Sequence, residues 1–253
     1  VQATNWALAI FAGVSQLYEA QTNASITVEY LYIWNTTDPY AAYVNDAGNM
    51  LDALRSHWQN NNSGISRDLV HLLTKRDNTG TGGIAWLDGL CSTSYGYGFS
   101  SGLDNNTSFT FPNPTYTWNL NVVAHEIGHN VGSEHTHDCV WNSDPNYGFT
   151  GPGIDDCGPS AGYGTDCGPT PSNGTIMSYC HVTSTGVVLE FHPIVVSQAL
   201  DPGITGANCL TVCNYDGCTD PNAFNYNEDA TDDDGSCVSI IYGCTDDSAC
   251  NYN

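Results

Sequence analysis

His125, Glu126, His129, Gly132 and His135 stand in the order H-E-x-x-H-x-x-G-x-x-H, and few short patterns carry as much chemistry. On an α-helix, residues four apart project from one face, so His125 and His129 bring two imidazole nitrogens to one metal ion. Glu126 falls beside that ion as a candidate general base. A helix that ran on would carry His135, six residues after His129, away from the metal, so the chain has to turn back. Gly132 suits the turn because it lacks a Cβ and accepts positive φ at little cost. His135 then completes three histidines around a fourth position left open for water, the arrangement of a catalytic rather than a structural zinc. His137, two residues past the patterned position, competes as third ligand, but the motif register favours His135.

The elements that must hold these residues can be read from periodicity. Trp118, Leu120, Val123 and Ile127 make a helix-compatible run into the motif, with Thr115 or Thr117 as its cap. Residues 3–20 carry an apolar stripe (Trp6, Ala9, Ile10, Val14, Leu17) and read as a helix, while residues 25–34 alternate as a strand (Ile26, Val28, Tyr30, Tyr32). Asp38-Pro39 is a helix start, and that helix would present Val44, Ala47, Leu51, Leu54 and Trp58 before ending at residues 60–64. Residues 68–74 read as a buried strand and 82–87 as a short one with two leading glycines. The latter, Gly82-Gly83-Ile84-Ala85-Trp86, is either an ordinary strand or an edge that pairs with an extended peptide. Residues 91–113 and 137–173 read as loops, the second long enough to need disulfide pinning. A last helix starts near His192-Pro193 and runs through Leu200.

Composition bounds the setting. Eleven cysteines without paired C-x-x-C sets point to an oxidising, extracellular environment, and the odd total leaves at least one thiol without a partner within the chain. Against 27 acidic residues stand four basic ones, Arg55, Arg67, Lys75 and Arg76, for a net charge of -23. Nucleic acid and anionic membranes find no basic surface here. The surplus fits, in order, solubility in salty water, calcium sites, or attraction of cationic substrates. Asp155 and Asp156 could bind calcium, although solvated turns are the commoner use of such residues. The start at Val1 fits a processed form. Residues 6–14 are too short to span a bilayer and lack the flanks of a signal peptide, so no membrane insertion is expected. A monomer is expected.

About forty residues after His135 comes Thr175-Ile176-Met177-Ser178-Tyr179. The zinc motif followed by this segment resembles the metzincin zinc endopeptidases, whose second hallmark is a methionine turn beneath the metal. Gly82-Gly83-Ile84-Ala85 with Cys91, Trp118 and His135-Thr136-His137 are most similar to the adamalysin or reprolysin group in secreted bacterial form. The resemblance covers residues 1–207. It implies an α/β (α+β) fold: a twisted, mostly parallel sheet with an antiparallel edge strand and long helices, above an irregular lower subdomain, with a substrate cleft between. It further implies that residues 82–86 hold substrate as an antiparallel partner, that residues 181–188 wall the specificity pocket, and that Cys91 pairs with Cys209 or Cys213. Relatives open with a strand before the first long helix, whereas this chain begins in the helix. Many also place Asp directly after the third histidine, where this chain has Thr136-His137 before Asp138. Tyr179 stands two residues after the turn methionine, as in the astacin and serralysin branches, where that tyrosine ligates zinc or stabilises the oxyanion; a phenol near developing negative charge is suited to it.

Residues 208–253 read as a second object, a small disulfide-rich tail of acidic repeats. The segment from Gly217 to Asn227 recurs from Gly243 to Asn253, giving one repeat over 217–242 and a truncated one over 243–253. Cys218 is expected to bond Cys237. Asp232-Asp233-Asp234-Gly235 suggests calcium but fails the EF-hand spacing. The expectation from sequence is therefore a secreted zinc endopeptidase of protein or peptide substrates, with Glu126 activating a zinc-bound water. A non-catalytic binding module of the same fold and a hydrolase of non-peptide substrates are the alternatives.

Overall fold

Helix α1 (Gln2–Thr22) buries Ala7, Ile10, Val14, Leu17 and Tyr18, the three-and-four spacing of one helical face. That face lies on α3 (Trp118–Val131) in the computed structural model, which describes residues 2–211, 216–228 and 230–240. Gly13 permits the approach, since a Cβ there would sit 2.7 Å from Leu120 Cδ2. The Tyr18 hydroxyl donates to the Ala124 carbonyl at 2.9 Å, a buried bond between the two helices.

Strands β1 (Val70–Leu73), β2 (Gly83–Ala85) and β3 (Tyr97–Ser100) form one sheet in the order β1-β3-β2. β1 runs parallel to β3 with Val70 opposite Tyr97, and β2 is an antiparallel edge with Ile84 opposite Phe99. Alternation sorts the two faces. Val70, Leu72, Tyr97 and Phe99 pack on Met50, Leu51 and Leu54 of α2 (Ala47–Asn61), while Leu73 and the α1 and α3 stripes build the second core with Met177, Ile194 and Leu200. The sheet is thus sandwiched between α2 and the α1–α3 pair.

Three expectations are corrected. Residues 25–34 pair with no strand among the described residues. The far side of β1 faces a cavity of about 840 Å³ lined by these residues, β1 and α1, so the alternating segment has no ladder to join. The second helix starts at Ala47 instead of Pro39. The Tyr40 and Tyr43 carbonyls, which a helix would have used, each accept from the Arg76 guanidinium at 2.7 Å, and Asn45 takes a left-handed φ of 51°. Asp38 instead caps a local turn by accepting from the Tyr40 amide. β3 lies inside the stretch read as loop, where Gly98 masks the pattern; a Cβ there would sit 3.0 Å from the Ala85 Cβ and 3.3 Å from Asn130 Oδ1.

Below α3 the chain is irregular and cross-linked. Cys139–Cys167 and Cys157–Cys180 pin the long loop, and Cys91–Cys209 ties the segment after β2 to the end of the last helical stretch. That stretch runs from α4 (Pro193–Val195) through a π-helical turn (Val196–Leu200) into α5 (Asp201–Gly206). No helix among the described residues is long and apolar enough to cross a membrane. The four disulfides among the described residues are compatible with an extracellular protein.

The chain divides into two compact units, residues 1–210 and 211–253. The second carries the Cys218–Cys237 disulfide and a two-residue parallel pairing of β4 (Asp216–Gly217) with β5 (Asp232–Asp233). Cys213, Cys244, Cys250 and the repeat at 243–253 lie outside the described residues.

Candidate metal centre

Thr117 caps α3, its hydroxyl accepting from the Leu120 amide at 3.3 Å. The helix ends at Gly132, whose φ of 120° no residue with a Cβ adopts readily. The Ser133 amide reaches back to the Gly128 carbonyl at 2.9 Å, a closure that reverses the chain. This reversal delivers His135 to the face that already carries His125 and His129.

Nε2 of His129 lies 3.1 Å from Nε2 of His125 and 3.2 Å from Nε2 of His135. Two nitrogens bound to one tetrahedral zinc at about 2.0–2.1 Å would stand about 3.3–3.4 Å apart, so the two separations from His129 are close to those of such a site, and the three donors lie within 4.8 Å of one another. Their tautomers fit as well. His125 Nδ1 donates to the Ile176 carbonyl at 2.7 Å and His129 Nδ1 to the Ser133 carbonyl at 2.6 Å, which leaves the Nε2 lone pairs facing one another. A cation between them would make that arrangement favourable. Burial and mutual proximity push His125 well below, and His129 down to about 4 from, the usual imidazole value, so both stay neutral and able to ligate.

Glu126 is buried beside this cluster, and its Oε2 has no hydrogen-bond partner among the protein groups. Burial raises its carboxyl well above the usual range; a cation at the histidines would oppose that shift. Gly83 of β2 lies directly against the same side chain, since a Cβ there would be 2.7 Å from the carboxyl carbon. Gly82 faces Trp118 as closely. In the antiparallel ladder with β3 the bonded positions are 82, 84 and 86, flanked by Ser101 N–H to the Gly82 carbonyl and Trp86 N–H to the Tyr97 carbonyl, so Gly83 and Ala85 turn their backbone groups to the outer edge, where the Thr81 hydroxyl donates to the Gly83 carbonyl at 2.8 Å. Ile84 and Trp86 point the other way, into the α2 core, where the Arg55 guanidinium covers the Trp86 ring.

Met177 is fully buried beneath α3, with its sulfur against Gly128. Its carbonyl accepts from the Thr136 amide at 3.1 Å, tying the turn to the chain between His135 and His137. Tyr179 stands edge-on to His135, 4.7 Å between ring centroids, and burial and the nearby Glu126 carboxylate raise its phenol. His137 does not join the three histidines. Its ring stacks on His135 at 5.0 Å, wedged against Gly158 and Gly164.

Sequence reasoning missed the groups behind the ligands. The carbonyls of Ile176 and Ser133 carry no signature in a sequence. Asn130, inside the motif, donates from Nδ2 to the Trp86 carbonyl at 2.8 Å and the Tyr97 carbonyl at 3.1 Å, fastening α3 to the sheet. Asp138 accepts from the His135 backbone amide at 3.0 Å, and its hydrogen bonding to His135 holds the carboxyl below the usual range. Calcium finds no support. Asp155 accepts from the Cys157 amide, Asp233 from Gly235 and Asp234 from Ser236, all as turn residues, and no metal-capable group among the described residues includes Asp232, Asp233 or Asp234.

The model of the reprolysin-type metallopeptidase family M12 matches residues 2–187, which includes all three histidines, Met177 and Tyr179. The chain belongs to this family. The family is one of metallopeptidases, and the His125, His129 and His135 cluster is one of three groups among the described residues that could hold a metal ion, beside His135, His137 and Asp138 and beside Asp155 with Cys157 and Cys180. No curated protein matches the chain. Among solved structures, one titled "Structure of a chaperone-substrate complex" aligns at 16% identity with a TM-score of 0.36, covering 78% of this chain. This chain spans 31% of that one.

Proposed function

We propose that the protein is a secreted zinc endopeptidase in which Glu126 is the general base. The observation that supports this most is the meeting of three Nε2 lone pairs, with a buried carboxylate oxygen left unpartnered next to them. Zinc bound by His125, His129 and His135 would supply a Lewis acid that polarises a carbonyl and brings the pKa of water toward neutrality.

The remaining work falls to the chain. The outer edge of β2 aligns an extended substrate through the backbone groups of Gly83 and Ala85. Oε2 of Glu126 accepts a proton from the attacking water and passes it to the departing amine. Tyr179 donates its phenol hydrogen to the developing oxyanion. Met177 shapes the floor and takes no chemical part. Residues 208–253 act as a separate acidic repeat module.

Incubation of unfolded casein with the wild-type protein, with Glu126→Ala and with a zinc chelator tests the reading. Cleavage by wild type, a loss of about 10²–10⁴-fold in Glu126→Ala, and abolition by the chelator with recovery on added zinc are expected. Undiminished cleavage by Glu126→Ala would overturn the assignment. A folded, zinc-loaded wild type that cleaves neither casein nor a peptide library would turn the reading to a binding module.

A further inference from the structure

The three ligands are not held alike. His125 and His129 ride on a helix and lean on main-chain carbonyls, of Ile176 and Ser133, that no side-chain substitution removes. His135 follows the helix reversal, and no regular element holds it. A tight turn takes the place of the helix. The Asp138 amide donates to the His135 carbonyl at 3.1 Å, the His135 amide donates to Asp138 Oδ2 at 3.0 Å, and the Trp141 indole donates to the same His135 carbonyl at 2.9 Å. Asp138 Oδ2 also stands 3.4 Å from His135 Nδ1. One carboxylate oxygen therefore faces both the backbone and the ring of this ligand.

We propose that Asp138 is the positioning residue of the centre: it fixes His135 with Nδ1 protonated and Nε2 toward the metal, and so sets how tightly the metal is retained. This rests on the metal-site reading above. A carboxylate behind an imidazole raises its basicity and locks its rotation, and removing such a partner typically costs about 10–100-fold in metal affinity. His137 helps from the other side, its ring stacked on His135 at an interplanar angle of 12°. The histidine least held by regular structure is thus the one supported by a charged side chain.

Zinc affinity of the full chain, measured by competition with a chromophoric chelator, tests this directly. Cobalt substitution adds a visible spectrum that reports ligand geometry. Asp138→Ala should bind zinc about 10–100-fold more weakly and show an altered cobalt spectrum. Asp138→Asn, whose amide oxygen still accepts from the His135 amide but lacks the charge, should fall between Asp138→Ala and wild type; it also supplies the answer should Asp138→Ala not fold. Circular dichroism and thermal unfolding of the metal-free proteins separate loss of ligand support from loss of fold. A folded Asp138→Ala or Asp138→Asn with wild-type zinc affinity and an unchanged cobalt spectrum overturns the proposal. A folded wild type that binds no zinc overturns the metal-site reading itself, a distinct result.

Discussion

Gly83 and Glu126 are packed so closely that no side chain fits between them: a single Cβ on Gly83 would lie 2.7 Å from the Glu126 carboxyl carbon. The edge strand and the candidate base are therefore one mechanical unit, and the glycine is the hinge of their fit. Gly83→Ala should push the carboxylate out of place. A displacement of about 1 Å costs on the order of 10²-fold in rate, so kcat/KM on casein-derived peptides should fall by about that factor while zinc content holds. Unimpaired turnover with the extra methyl present would show that the carboxylate position does not matter.

Asn130 predicts a stability effect of a different kind. Its amide bridges α3 to the carbonyls of Trp86 and Tyr97 in a fully buried setting. Asn130→Ala should destabilise the protein by about 1–3 kcal/mol, because the Trp86 carbonyl loses its partner. Asn130→Asp, nearly the same shape but acceptor-only when ionised, should be worse and worsen further as pH rises. Urea unfolding of the three proteins at two pH values measures both effects; equal stability of Asn130→Asp and wild type at pH 8 would refute them.

What the sequence made legible, and what it hid, follows from how far each signal reaches. The histidines, the cap at Thr117 and the break at Gly132 are local, set by helix spacing and glycine's freedom, and they stand where spacing put them. The start of α2 was misread because Arg76, more than thirty residues away, takes the Tyr40 and Tyr43 carbonyls. Gly98 made a strand look like a loop, since its role is to admit Ala85 and Asn130, contacts no window around it contains. Residues 25–34 have strand chemistry but pair with no strand among the described residues, and pairing is not a property of a segment alone. Asp138 was visible as a residue, but its service to His135 depends on the turn between them.

The Cys91–Cys209 link closes a separation of 118 residues that contains β3, α3 and the candidate centre. Cross-links of long loops act largely on the unfolded chain, and losing one typically costs about 2–5 kcal/mol. The double variant Cys91→Ala with Cys209→Ala should show that loss in denaturant unfolding. Its zinc affinity while folded should be unchanged, because neither sulfur approaches the three histidines within any of the metal-capable groups among the described residues. A matching loss of zinc affinity would tie the bond to the site.

His71 offers a pH signature separate from the metal centre. Its Nε2 bonds the Ser100 hydroxyl at 2.9 Å, its Nδ1 is buried without a partner, and burial brings the ring down to about 3. The native protein keeps this imidazole neutral while the unfolded chain protonates it near pH 6.5. As pH falls below that value the unfolded state binds a proton the native state does not, so stability is full above about 6.5 and drains away toward about 3. At pH 4.5 the ceiling is about 2.7 kcal/mol, and water reaching the ring from the adjoining cavity lowers it. His71→Gln keeps a hydrogen bond to Ser100 without the titration. The stability of wild type relative to His71→Gln should therefore decline by about 1–2.5 kcal/mol between pH 7.5 and 4.5, a comparison in which the many carboxylates cancel. A difference that stays flat across that range would mean that the ring is protonated in the native state.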